Sequence, residues 1–184
     1  MEGINKKIKD LRRDYDRNML IEEQCSNNPF DQFGIWMQEA LEGGVTEPNA
    51  MNLATVDNAG RPSSRIVLLR SFDKSGFVFF TNYDSKKGRS LDAGKPAALN
   101  FFWEQLQRQV RIEGNCVRVT TEISDDYFDS RPFESKIGAL ASDQSSVAES
   151  RALLDERFDE LVKQYEGKVV SRPDNWGGYR FIPN

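Results

Sequence analysis

Two adjacent lysines, Lys86 and Lys87, follow the segment FVFFTNYDS. Phe77, Val78, Phe79 and Phe80 form a short apolar run suited to a strand inside a core. Asp84 or Ser85 reads as the N-cap of a helix. The lysines then fall in its first turn, where the helix dipole is already positive and favours Asp or Glu. An isolated lysine pair on an exposed turn is ordinarily no more than solvated charge. The alternative is an anion site, in which free backbone N–H groups, the dipole and two ammonium groups together hold a phosphate.

Other residues carry weaker signals of the same kind. Arg65 and Arg70 bracket the apolar run IVLL, which comprises Ile66, Val67, Leu68 and Leu69. Either they mark the exposed rim of a core strand, or their guanidinium groups grip a phosphate or carboxylate bidentately. Strict alternation puts the two arginines on opposite faces, so one shared site requires a bulge or a ligand that spans the strand end. Gln107, Gln109, Arg111 and Glu113 share a face that reads first as a solvated row. In a barrel mouth, a glutamine amide there can both donate to and accept from a heterocycle. Tyr127 and Arg131 lie four apart on one helical face. Ser135 follows a proline and caps a short helix, and SDQSS, residues 142–146, reads as a capping loop.

The totals bound what these residues can serve. A chain of 184 residues with 38% hydrophobic and 29% charged residues is expected to form one domain with a real core. A net charge of -4 and a pI near 5.1 argue against general nucleic-acid or anionic-membrane binding. Cys25 and Cys116 share no metal-ligand spacing, which fits a reduced, cytoplasmic protein without a metal. The absence of histidine removes His triads, His metal sites and His acid–base chemistry. The charged opening MEGINKKIKDLRRDYDR is not a secretory signal, and no stretch has the apolar length of a membrane span.

The elements that must position the site follow from periodicity. Ile4, Ile8, Leu11 and Tyr15 recur at helical spacing. Asn28 and Pro29 start a second helix with Phe33, Trp36, Met37, Ala40 and Leu41 on its apolar face, ended at Gly43-Gly44. AMNLATV, SSRIVLLRSF, residues 77–82, AALNFFW and QRQVRIEGNCVRV read as five strands joined mostly by short turns, which predicts an antiparallel sheet or small barrel. Thr121 caps a helix that Pro132 stops. Ser146 and Glu149 have capping-box spacing ahead of a stripe of Leu154, Phe158, Leu161 and Tyr165. NWGGYRFIP reads as a final strand.

The segments SSRIVLLRSF, GFVFFTNYDSKKG, FFWEQLQRQVRIEG, YFDSRPFESKIGALASDQSS and NWGGY occur in an order and spacing that resemble the pyridoxamine 5′-phosphate oxidase family. The likeness runs from about LRRDY to the end of the sequence. It implies an α+β protein, mainly β with flanking helices, built on an antiparallel FMN-binding split β-barrel. It also implies a homodimer with each flavin at the subunit interface. By motif, Arg65 to Arg70, Phe80 and Thr81 would line FMN, with Lys86 and Lys87 on its phosphate. Gln109, Gln144 and Ser145 would complete the flavin contacts, some from the partner subunit. Tyr127, Arg131 and Ser135 would bind the phosphate of the substrate, with Arg70 reaching both rings. Arg12 and Tyr15 would belong to a segment that closes over the substrate.

The implied reaction is oxidation of pyridoxamine 5′-phosphate or pyridoxine 5′-phosphate by O2, giving pyridoxal 5′-phosphate and hydrogen peroxide. The sequence departs from the family at Arg70, where lysine is usual. The family also continues beyond WGGY with a Trp-containing strand and an Arg-Leu-His motif; this sequence ends at Asn184 without them. The oxidase is therefore the expectation if the missing C-terminal motif reflects only a truncation. The alternatives are a non-catalytic or weakly active binder of FMN or pyridoxal phosphate, and a flavin oxidase of another ring substrate.

Overall fold

Strands with alternating or wholly apolar patterns fill the middle of the chain and return at its end. The computed structural model describes residues 1–184 apart from Arg13, Tyr15, Arg17, Asn18 and the side chain of Glu2. Its strands are β1 (Ala50–Val56), β2 (Pro62–Leu68), β3 (Ser71–Asp73), β4 (Gly76–Asn82), β5 (Ala97–Trp103), β6 (Arg108–Arg118) and β7 (Trp176–Pro183). They form one sheet in the order β2-β1-β5-β6-β7-β4-β3, and the described pairings are antiparallel. The helices are α1 (Glu2–Asp10), α2 (Pro29–Glu42), α3 (Lys86–Asp92), α4 (Thr121–Asp129), α5 (Phe133–Ala141) and α6 (Arg151–Tyr165). None of the described helices is long and apolar enough to cross a membrane.

The chain divides into two compact units. The first comprises Met1–Pro48 with Phe102–Gln109. Asn28 caps α2, its Oδ1 accepting from the Phe30 N–H at 2.8 Å, and Pro29 opens the helix where its missing N–H costs nothing. Phe33, Met37 and Ala40 are buried, whereas Leu41 is exposed, so the apolar stripe is narrower than its spacing suggests. The Trp103 indole N–H donates to the Pro48 carbonyl at 2.8 Å, beside the Phe33 ring. α1 stops at Asp10, short of the expected helix through Tyr15, and its apolar Ile4 and Ile8 are exposed. Tyr15 lies outside the described residues.

The second unit, Asn49–Phe101 with Val110–Asn184, holds most of the sheet and helices α3–α6. The expected single strand over residues 63–72 is two strands. After Leu68 the chain leaves one neighbour for another: the Leu69 N–H donates to Asn49 O and the Arg70 N–H to Val78 O, both at 2.8 Å. β2 and β3 are thus opposite edges of the sheet joined by two residues, which is what curls it into a split barrel. β4 is buried along almost its whole length and pairs with β7 from Phe77↔Phe181 to Asn82↔Trp176. Two caps shift by a few positions. Thr120 rather than Thr121 caps α4, and Ser150 caps α6 in place of the Ser146 capping box. α4, α5 and α6 share a core with β7 centred on Phe128, Ile137, Val170 and Trp176.

The packing of α3 depends on one glycine. A Cβ at Gly88 would stand 2.0 Å from the Tyr83 carbonyl oxygen, and that atom is backbone that cannot rotate away. Gly138, inside α5, has open space around its absent Cβ. Gly88→Ala is therefore expected to cost about 1–3 kcal/mol through overpacking, and Gly138→Ala to add up to about 1 kcal/mol through helix propensity. Urea midpoints of the two variants, measured without ligand, check the opposite signs.

Candidate functional site

The turn between β4 and α3 supplies the first half of the site. Ser85 caps α3: its Oγ accepts from the Gly88 N–H at 3.2 Å and donates to Asn82 O at 2.7 Å. Lys86 and Lys87, adjacent on the first turn, diverge. Lys86 is exposed and faces a separate hollow with Asp57, Arg61 and Arg89. Lys87 turns inward and is only 8% exposed. Its Nζ donates to Gln144 Oε1 (2.6 Å), Thr81 Oγ1 (3.0 Å) and Ser85 Oγ (3.3 Å), all neutral groups. Burial, with the nearby charge of Arg65 added, pulls the Lys87 pKa down to about 8. Arg65 is itself fixed beneath the strand, donating to Leu53 O, Thr55 Oγ1 and Ser63 Oγ. Two cations side by side without a counter-charge between them suit an anion such as a phosphate.

Lys87 opens into a cavity of about 460 Å³, within the range of small-molecule and cofactor sites. One wall is the end of β2 and the link after it, with Ile66, Val67, Leu68 and Arg70. The far end is built by α4 and α5, which bring Tyr127, Arg131 and Ser135 together. Between them stands a stack of rings. Phe80 lies 3.9 Å from Tyr127 and 5.7 Å from Trp176, with interplanar angles of 19° and 14°. Arg131 lies over the Trp176 ring at 4.6 Å and Arg70 over the Tyr127 ring at 5.5 Å. Arg131 Nη1 is buried without a hydrogen-bond partner among the described residues. Burial lowers the Arg131 pKa, and Arg70's charge acts the same way. A second anion therefore suits this end.

The sequence-predicted residues divide as follows. The cavity gathers Ile66, Val67, Leu68, Arg70, Phe80, Thr81, Lys87, Tyr127, Arg131, Ser135 and Gln144. Its walls do not include Arg65, Leu69, Lys86, Gln109 or Ser145. Leu69 is in the core, Gln109 is exposed on β6, and Ser145 is exposed with φ of 69° in the adjoining loop. Arg12 is exposed outside the cavity, and Tyr15 lies outside the described residues. The face-alternation conflict between Arg65 and Arg70 disappears because the strand ends between them. Asn82, Ser142 and Trp176 line the cavity without having been assigned to a site. Trp176 alone carried a signal, as a large ring set against two glycines in a strand.

A clamp holds α3, and so Lys87, in place. Arg118 donates to Asp92 Oδ1 and Oδ2 at 3.0 and 2.6 Å, and the Tyr179 hydroxyl donates to Asp92 Oδ1 at 2.8 Å. The Arg118 guanidinium also lies 3.8 Å over the Tyr83 ring. Burial, followed by the bond to Asp92, raises the Tyr179 pKa well above the usual phenol value.

This fold and cavity define a split-barrel protein whose cavity is lined by cations that suit an anionic ligand. A family model described as pyridoxamine 5′-phosphate oxidase matches residues 37–165, and the chain belongs to that family. It is 54% identical over 177 residues to a pyridoxine/pyridoxamine 5′-phosphate oxidase of Burkholderia thailandensis, covering 96% of this chain and 82% of that protein. A protein of the same name from Gloeothece citriformis is 51% identical over 180 residues, covering 98% and 84%. Among solved structures, PhzG from Burkholderia lata, in complex with tetrahydrophenazine-1-carboxylic acid, superposes with a TM-score of 0.84 at 30% identity, covering 90% of this chain and 82% of PhzG. A pyridoxamine 5′-phosphate oxidase-related, FMN-binding protein of Nostoc punctiforme shares the fold at a TM-score of 0.66 and 13% identity, covering 86% and 82%.

The buried ammonium has a pH signature. Its folded-state pKa lies below the ordinary lysine value of 10.5, at about 8. Below pH 8 both folded and unfolded chains carry the proton, and the full burial penalty is present. Between about 8 and 10.5 the folded state releases its proton first, so this group's contribution to stability rises with pH. Lys87→Met is accordingly expected to stabilise the ligand-free protein at pH 7 by on the order of 2 kcal/mol. That advantage should shrink toward zero by pH 10.5. Denaturant titrations of both proteins across this range check it; an advantage independent of pH would sink the account.

Proposed function

We propose that this chain is an FMN-dependent oxidase acting on pyridoxamine 5′-phosphate or pyridoxine 5′-phosphate, with O2 as electron acceptor and pyridoxal 5′-phosphate and hydrogen peroxide as products. The observation that carries the reading is one cavity lined by Lys87, buried among neutral partners, by Arg131, whose Nη1 is buried without a partner among the described residues, and by a stack of aromatic rings. Family membership and the two curated relatives support it. Lys87 fits the phosphate of FMN as a charged anchor, with the charge of Arg65 nearby although Arg65 does not line the cavity. Arg131 and Arg70 fit the phosphate of the vitamin, with Ser135 and Tyr127 as hydrogen-bonding neighbours. When bound, FMN supplies the hydride acceptor for the carbon bearing the amine or alcohol. The protein's residues fix both rings through their phosphates and exclude water from the apolar wall. The alcohol would give the aldehyde directly, and the amine an imine that water hydrolyses.

A homodimer belongs to this reading. Lys86, Gln109 and Ser145, which one chain's cavity does not gather, would contact flavin across a subunit interface. The exposed Ile66 at the cavity's edge is an apolar surface such an interface would cover. We also propose a cytoplasmic setting, supported by two free cysteines. The second reading is an oxidase of another ring substrate, favoured by the likeness to PhzG; a carboxylate also fits Arg131.

Anaerobic protein loaded with FMN should lose its visible flavin absorbance when pyridoxamine 5′-phosphate is added. Arg131→Ala is expected to raise the concentration for half-maximal bleaching about 10- to 100-fold, the loss of one charge-assisted anchor. Flavin that binds and stays yellow with both vitamin phosphates would overturn the oxidase reading. Bleaching by a tricyclic carboxylate instead would favour the second.

A further inference from the structure

We propose that Trp176 is a positioning residue whose indole face holds the Arg131 guanidinium in the cavity, and so sets the preference for a phosphorylated over an unphosphorylated ring substrate. The inference rests on the assignment of Arg131 to the substrate's phosphate.

Arg131 needs something to hold it. Its backbone is fixed just past α4, where its N–H donates to Phe128 O at 3.1 Å and Pro132 follows. Its side chain is long and rich in rotamers, and one of its guanidinium nitrogens is buried without a partner among the described residues. The contacts that face the guanidinium are aromatic: Trp176 at 4.6 Å and Phe128 at 5.5 Å. A carboxylate would hold it as firmly but would cancel its charge and occupy its N–H fork. An indole face attracts the cation and leaves the edge of the guanidinium free for an anion.

Trp176 is suited to the task because it is itself fixed. Its ring stands parallel to Tyr127 within 5° and meets Phe128 edge-on at 69°. Its carbonyl accepts from Arg172 Nη1 at 2.6 Å, while Arg172 Nε donates to Asp125 Oδ1 on α4, also at 2.6 Å. This strap joins the strand that carries Trp176 to the helix that precedes Arg131. The ring is 7% exposed, so little of it is free to contact a ligand directly.

The test uses FMN-loaded protein and two inert ligands, 4-deoxypyridoxine 5′-phosphate and 4-deoxypyridoxine, titrated by calorimetry. Trp176→Leu is expected to weaken the phosphorylated ligand about tenfold and Trp176→Phe about threefold, within the range of a desolvated cation–π contact. Neither should change the unphosphorylated ligand. In an Arg131→Ala background, both substitutions should have no further effect. Equal weakening of the two ligands, or a full effect of Trp176→Leu without Arg131, would show a passive wall and overturn the proposal. If the leucine variant does not fold, the phenylalanine variant decides by the same comparison of backgrounds. A parent protein that binds both ligands equally would refute the phosphate assignment itself, and this inference with it, before any variant is compared.

Discussion

The pairing of β4 with β7 is the contact from which both ends of the cavity are hung. Six residue pairs run from Phe77↔Phe181 to Asn82↔Trp176. At the last pair the two strands deliver different things. β4 continues through Tyr83 into α3 and Lys87, while β7 presents Trp176 to the helices. Close approach is built into this junction. Gly178 opposite Phe80 leaves no room for a Cβ, which would lie 2.8 Å from that ring. Tyr83 meets the neighbouring Tyr179 ring edge-on at 5.3 Å. A shift of one residue in this register would reverse the faces of Phe80 and Thr81, and the site would lose its apolar wall and one partner of Lys87 together.

Cations in this protein fall into two kinds according to what holds them. Arg118 is paired bidentately with Asp92 and Arg172 with Asp125, and each ties one element to another. Their charge is spent within the fold. Lys87 and Arg131 are held by hydroxyls, an amide and aromatic faces, none of which neutralises them. The buried charge of Lys87, and the buried Nη1 of the partly buried Arg131, are costly to leave unless a ligand compensates them. The same contrast shows in the clamp on α3, whose carboxylate, Asp92, lies at the far end of the helix from Lys87 rather than beside it. Asp92 fixes the helix without supplying the counter-charge that a phosphate would bring.

The sequence disclosed those features governed by local chemistry. β1 and the cap of α2 stand where the apolar pattern and the Asn28-Pro29 pair place them, and Lys87 and Arg131 reach the cavity by motif and spacing. The misreadings came from tertiary contacts. An apolar run from Ile66 to Leu69 carries no local sign that the hydrogen bonds after it pass from Asn49 to Val78, so its pattern predicts one strand where two stand. Lys86 and Lys87 are chemically identical; only the packing of α3 through Gly88 decides which turns inward. Trp176 has the composition of a core residue, and its second role emerges only when α4 brings Arg131 to its face.

The break between β2 and β3 ties these observations together. Had the strand continued, Arg65 and Arg70 would have occupied opposite faces, and a ligand could meet only one of them. Ending it at Leu68 keeps Arg65 bonded beneath the sheet, beside Lys87, while the turn carries Arg70 to the Tyr127 ring at the other end. The same two residues that join the opposite edges of the sheet therefore separate the two arginines, leaving Arg65 bonded to its neighbouring strand and Arg70 on the cavity wall. Barrel closure and the separation of the two arginines are one structural event, set by the sheet rather than by either helix alone.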